Sequence, residues 1–74
     1  MRIADVARKH AISDEDILHA IRNEIYSATT NDDDLVIVVG PATTANLLEI
    51  GILGRDGDDP VVIHAMNLRA KFQR

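Results

Sequence analysis

Apolar positions follow a helical rhythm in the first third of the chain and a strand-like one in the rest. Ile3, Val6, Ala7 and His10 recur at helical spacing and predict a short first helix, with Arg2, Arg8 and Lys9 off its apolar stripe. A second helix is announced by its start signals. Ser13 suits the N-cap, Asp16 stands at the reciprocal capping-box position, and Ile12 before the cap can staple to Ile17. Leu18, Ile21 and Ile25 then form the expected buried stripe, with Ile17 beside it, and the helix is expected to run to about Ser27. Asp14, Glu15 and Asp16 fall in its first turn, where the helix dipole favours anions, so capping accounts for them and a metal or substrate role is the lesser alternative.

The polar run "TTNDDD" ends the helix, and the rhythm changes. "LVIVV" from Leu35 to Val39 is a β-branched run bounded by turn residues and reads as a central strand. Gly40 and Pro41 break it, and "NLLEIGIL" resumes as a strand with Leu48, Ile50 and Ile52 on one face and Glu49 and Gly51 on the other. After the turn "GRDGDDP", "VVIHAM" supplies a third strand with alternating sets Val61, Ile63, Ala65 and Val62, His64, Met66. The predicted architecture is α+β: two amino-terminal helices packed on a three-stranded antiparallel sheet, followed by a short basic carboxyl-terminal tail or helix. A chain of 74 residues holds one small domain, residues 1–74, with no internal repeat or linker.

Composition narrows the class. Apolar residues make up 46% of the chain, well above a disordered composition, and no apolar run approaches the roughly 18 residues of a membrane span. The first ten residues lack the apolar stretch and cleavage site of a secretory signal, so a cytoplasmic location is expected. Cysteine is absent, and His10, His19 and His64 are too scattered to predict a metal site, so no cofactor or metal is expected and oligomerisation is the natural supplement to a thin core. The net charge of −4 argues against a wholly nucleic-acid-binding surface. Bases nevertheless gather at the two ends, as Arg2, Arg8 and Lys9, then Arg69, Lys71 and Arg74, and would form one patch if the fold joins the termini.

Candidate chemistry is sparse. There is no defensible Ser-His-Asp arrangement and no glycine-rich phosphate loop, and with Tyr26 and Phe72 as the aromatic residues a base-stacking platform is not expected. The carboxyl-terminal set remains: His64 near a strand end, then Arg69 and Lys71. Clustered cations could hold a phosphodiester and stabilise charge during attack by a ribose 2′-hydroxyl while a histidine moves protons, a reaction that needs no metal. The competing reading is a solvated basic end and a packed histidine. His19 is expected to hydrogen-bond Glu15, one turn earlier on the helix. His10 suits a cap at the end of the first helix, with a catalytic role as the alternative. Arg55 is expected to be balanced by its acidic sequence neighbours in "GRDGDD".

Three stretches carry a family resemblance. "KHAISDEDI" resembles the "KHGVSFEEA"-like opening of BrnT-type toxins, "NLLEIGIL" sits where their "GRLLVVV"-like strand lies, and "VIHAMNLRAKF" is similar to their "IISARKA"-like end. The similarity spans roughly Arg8 to Phe72. It implies a compact fold of the RelE/ParE superfamily, a growth-arresting ribonuclease of bacterial cytoplasm, and an antitoxin partner. Several positions depart from that pattern: Met66 stands for an arginine, His64 for a serine, and the arginine of the "GR"-like pair is missing at "TAN". The family's amino-terminal strand would have to lie before Met1, and the chain's pI near 5.1 contrasts with generally basic toxins.

Two functions follow as expectations. The first is a toxin-like endoribonuclease in which His64, Arg69 and Lys71 are catalytic and Arg8, Lys9, His10 and Arg74 bind RNA. The second is a non-catalytic module that uses a sheet edge or apolar face for a homodimer or a protein partner.

Overall fold

A computed structural model describes residues 1–73. In chain order it comprises β1 (Arg2–Ile3), a 3-10 turn at Asp5–Arg8, helix α1 (Asp14–Arg22), β2 (Tyr26–Thr29), β3 (Leu35–Pro41), β4 (Leu47–Leu53), β5 (Val61–Asn67) and a second 3-10 turn at Ala70–Phe72. The strands form one five-stranded sheet in the order β1-β5-β4-β3-β2. β1 runs parallel to β5, and every other pairing is antiparallel.

This corrects the expected two helices on a three-stranded antiparallel sheet. The described residues hold one α-helix and a mixed sheet with a strand added at each edge. The predicted first helix is instead a two-residue strand and a 3-10 turn, because Arg2 and Ala4 donate their amides to Pro60 and Val62 and so fix the chain to the edge of β5. Of its supposed apolar stripe, Ala7 is buried whereas Val6 is 61% exposed. An amino-terminal strand thus lies within the chain, where the family resemblance placed none.

Helix α1 starts where its signals put it. Ser13 is the N-cap and its hydroxyl accepts the Asp16 amide at 3.1 Å, one half of the capping box. The other half is absent, because the Asp16 carboxylate turns to the β3–β4 loop and accepts the Thr43 amide at 2.9 Å and hydroxyl at 2.6 Å. The helix ends at Arg22, short of the expected Ser27. Asn23 leaves helical geometry and closes the helix on the His19 carbonyl, which accepts both its backbone amide at 3.0 Å and its side-chain amide at 2.9 Å. Ile17 and Ala20 are the buried positions, while Ile25, which extends the sequence stripe, is 60% exposed.

The helix covers one sheet face over β3 and β4, where Val38, Leu48, Ile50 and Ile52 join its Ile17 and Ala20 in one core, and the 3-10 turn that carries Ala7 lies over β5, adding Val62 and Ala65 to the same core. Gly40 permits the contact. A Cβ at that position would lie 2.0 Å from the carbonyl oxygen of Ala20, so only glycine lets helix backbone and strand backbone come this close. The register of β4 against β5 shifts between Gly51 and Ile52, so Gly51 faces His64 but Ile52 faces Val62, leaving Ile63 as the extra residue of a bulge. The bulge splits the expected alternating sets: Val62 and Ala65 share the helix-covered face, leaving Ile63 and His64 to the other.

That second face carries Ile37, Val39, Glu49 and Gly51, all buried. Among the described residues no α-helix lies over it; the tail after β5 folds back across it instead. Among the described residues, no helix is long and apolar enough to cross a membrane.

Candidate functional site

Glu49 is the residue around which the second face is built. It projects from the middle of β4 between two apolar neighbours and is fully buried, at 0% exposure. An ionised carboxylate survives there only with its oxygens occupied. Leu68 donates its amide to the Leu47 carbonyl at 3.0 Å, which extends the β4–β5 ladder one step past Asn67, and the chain then turns so that Arg69 lies over Glu49. The Arg69 amide reaches Oε1 at 2.8 Å, its Nε lies 3.1 Å from both oxygens, and its Nη2 binds Oε2 at 2.7 Å. From β5, His64 Nε2 completes the set at 2.8 Å from Oε2.

Burial alone would raise the pKa of Glu49, but the bonds from the Arg69 side chain, the Arg69 amide and His64 outweigh it and hold the carboxyl below its ordinary range. Arg69 is displaced upward by its bond to Glu49, against the smaller opposing effect of burial. An ionised Glu49 can only accept from His64, so the proton of the neutral imidazole sits on Nε2 and Nδ1 is left with a lone pair. This is the logic by which a buried carboxylate selects the tautomer of a proton-transferring histidine.

The amino-terminal segment supplies a second imidazole. His10 lies edge-on to His64, with ring centroids 6.2 Å apart and planes at 79°. Here the two chain ends do meet, but through histidines rather than through the expected union of cations. Arg2 forms a two-pronged pair with Asp59, and Arg8 is held by Asp14 and Asp5. Arg69 is committed to Glu49. Among the described residues Lys9, Arg22 and Lys71 form no ion pair, and of these Lys71 lines the groove on this face; Arg74 lies outside the described residues. The basic patch is therefore much weaker than the charge distribution predicts.

Beside the Glu49 cluster runs a groove of about 610 Å³. Leu35, Ile37 and Ile63 give it an aliphatic floor, residues 29–31 form one side, and His64, Arg69, Lys71 and Phe72 form the other. Lys71 Nζ and the Arg69 guanidinium lie 5.1 and 5.6 Å from the Phe72 ring centre, within cation–π range. Tyr26 donates its hydroxyl to the Phe72 carbonyl, tying β2 to the tail.

The remaining sequence candidates resolve into structural roles. His19 Nδ1 donates to the Pro41 carbonyl at 2.7 Å rather than bonding Glu15, since the helix presents it to the end of β3. Arg55 pairs with Glu24, not with its acidic sequence neighbours. Asp14 is occupied by Arg8 and Asp16 by Thr43, and among the described residues no three His, Asp or Glu side chains converge as metal ligands. His10 caps no α-helix, the turn before it being a single 3-10 turn.

Glu49 was not among the candidates. Its signal was a lone carboxylate inside the apolar run "LLEIGIL", a placement that demands a buried partner. A family-model scan, a search of curated proteins and a search of solved structures each returned no match to this chain.

Proposed function

We propose that this chain is a toxin-like component of a bacterial toxin–antitoxin pair, acting as an endoribonuclease by 2′-hydroxyl attack. The observation that carries the reading is His64, fixed through Nε2 by buried Glu49 at the wall of a groove that also holds Lys71, with His10 against its ring. Nδ1 of His64 takes the proton of the ribose 2′-hydroxyl, whose oxygen attacks the adjacent phosphorus. The phosphorus–5′-oxygen bond breaks, a 2′,3′-cyclic phosphate forms, and the departing 5′-oxygen receives a proton from the imidazolium of His10. Lys71 meets the charge that builds on the phosphoryl oxygens. Arg69 changes role from phosphate ligand to positioning residue, because the bonds it makes to Glu49 set the acceptor that orients His64. The resemblance of "KHAISDEDI" and "VIHAMNLRAKF" to BrnT-type toxins supports the biological setting and the expectation of an antitoxin partner.

The test is expression of the chain without its genomic neighbour while growth and RNA integrity are followed. Wild type is expected to arrest growth and cleave RNA, in excess chelator as well. His64→Ala should lower the cleavage rate by about 10²- to 10⁴-fold, the usual contribution of a positioned acid or base. A folded His64→Ala variant that cleaves at the wild-type rate refutes the assignment.

A second reading has its own support. Arg2, Arg8, Arg55 and Arg69 are all matched by carboxylates, and Ile25 and Leu47, 60% and 40% exposed, border another groove of about 550 Å³ at the opposite end of β2. Those features suit a non-catalytic interaction module. It predicts a harmless wild type, no RNA cleavage, and a dimer or heteromeric complex in solution.

A further inference from the structure

We infer that the groove between the end of β2 and the tail is a subsite for one unpaired nucleobase of single-stranded RNA, with Lys71 meeting the phosphate attached to it. The inference rests on the ribonuclease reading and names the substrate class of that site. Its floor is aliphatic and broad. Leu35 and Ile37 come from β3 and Ile63 from the β5 bulge, which turns toward this face a side chain that regular alternation would have sent into the core. Gly51 keeps the floor open: a Cβ there would stand 3.0 Å from Cβ of His64 and 3.5 and 3.6 Å from the methyl groups of Leu35 and Ile37.

The two sides differ in chemistry. On one, Asn31 is exposed and its amide makes no side-chain hydrogen bond among the described residues, whereas the Thr30 hydroxyl is already spent on the Asp32 and Leu35 carbonyls and the Asp32 amide. On the other stand His64, Lys71 and the Phe72 ring. A flat, weakly polar ring with hydrogen-bonding edges and an attached anion satisfies all three surfaces at once: apolar face on the floor, edge to Asn31, phosphate to Lys71. The volume of about 610 Å³ falls inside the range of roughly 300–1,000 Å³ typical of small-molecule clefts. A paired base cannot enter, because its faces are stacked and its edge is engaged; recognition through such a pocket requires a splayed, single-stranded base.

The experiment measures binding of a short 2′-O-methyl RNA, which lacks the nucleophilic hydroxyl and so cannot be cleaved, against a duplex of the same sequence and an acidic peptide. Wild type is expected to prefer the single strand. Ile63→Gln, at a partly exposed bulge residue, should weaken binding by roughly 5- to 100-fold, the scale of one lost base contact. Asn31→Ala, at an exposed position that threatens no fold, should alter the preference among oligonucleotides of different base. Lys71→Ala should weaken all of them alike and flatten the salt dependence. Equal binding of the duplex, preferential binding of the peptide, or single-strand binding indifferent to both Ile63→Gln and Asn31→Ala overturns the subsite. In the last case RNA cleavage by wild type would leave the ribonuclease reading standing, whereas an absence of both cleavage and RNA binding removes the two together.

Discussion

Replacing Arg69 by methionine isolates the interaction on which the second face of the sheet depends. The variant keeps the apolar stem and the Arg69 backbone amide bond to Glu49 but removes the three guanidinium contacts at 3.1, 3.1 and 2.7 Å. Glu49 is then a fully buried carboxylate with one amide and one imidazole for company. Breaking a buried ion pair by removing one partner costs about 3–5 kcal/mol. The Arg69 side chain is 43% exposed, so water replaces part of what is lost, which favours the lower end, about 3 kcal/mol. At roughly 0.05–0.15 kcal/mol per residue a chain of 74 residues has about 4–11 kcal/mol in total, so this single change removes a large share of it. In thermal unfolding at pH 7 the midpoint should fall by about 12–24 °C, from the usual 4–8 °C per kcal/mol for domains of this size.

The pH dependence separates this cause from generic loss of packing. In wild type the folded pKa of Glu49 lies below its ordinary value, so its stabilisation is present above about pH 4.5 and is lost as pH falls through the depressed folded value. Without the Arg69 guanidinium, part of what outweighs burial is gone and the folded pKa of Glu49 moves upward. The variant is then penalised most at neutral pH, and the gap between the two proteins should narrow as both are acidified to pH 4. A loss below about 1 kcal/mol at pH 7, or a gap that is the same at pH 7 and pH 4, refutes the claim that an ionised, buried Glu49 is what Arg69 holds in place.

Two further substitutions test the other face. Gly40→Ala puts a Cβ 2.0 Å from the Ala20 carbonyl oxygen and forces α1 off the sheet; overpacking of this kind costs about 1–3 kcal/mol, and the backbone contact points to the upper end, measurable by urea unfolding. Ser13→Ala should cost about 1 kcal/mol by loss of the N-cap bond to Asp16, and Ser13→Gly only a few tenths, a ranking that circular dichroism melts can resolve.

How much of this was legible depended on whether the signal was local. The N-cap at Ser13, β4, β5 and the buried set Leu48, Ile50 and Ile52 all rest on short-range chemistry and appear where the pattern put them, whereas β3 starts at Leu35 as expected but runs on through Gly40 and Pro41, which pair with Leu48 and Leu47 instead of breaking the strand. The edge strands do not have such a signal. β1 is two residues long and exists because the β5 edge offers carbonyls to Arg2 and Ala4, while β2 is hidden by the Ile17, Ile21, Ile25 spacing, which continues a helical stripe past the point where Asn23 has ended the helix. Acid and base pairing was no more readable: Arg2 finds Asp59 across nearly the whole chain, and Arg69 finds Glu49 only because Leu68 extends the β4 ladder.

The bulge at Ile63 carries the larger consequence for function. In an unbroken strand Val62 and His64 share a face, so either a valine leaves the core or the imidazole enters it. One extra residue resolves the conflict, since Val62 stays in the core and His64 turns to Glu49 on the opposite side. Period-two alternation therefore misassigns one half of β5 whichever register is chosen. A charge inside an apolar strand and a histidine two positions beyond a core valine on the next strand are the paired traces that such a device leaves in a sequence. Here Glu49 and His64 are those traces, and the groove exists because satisfying them required the tail to fold back over the sheet.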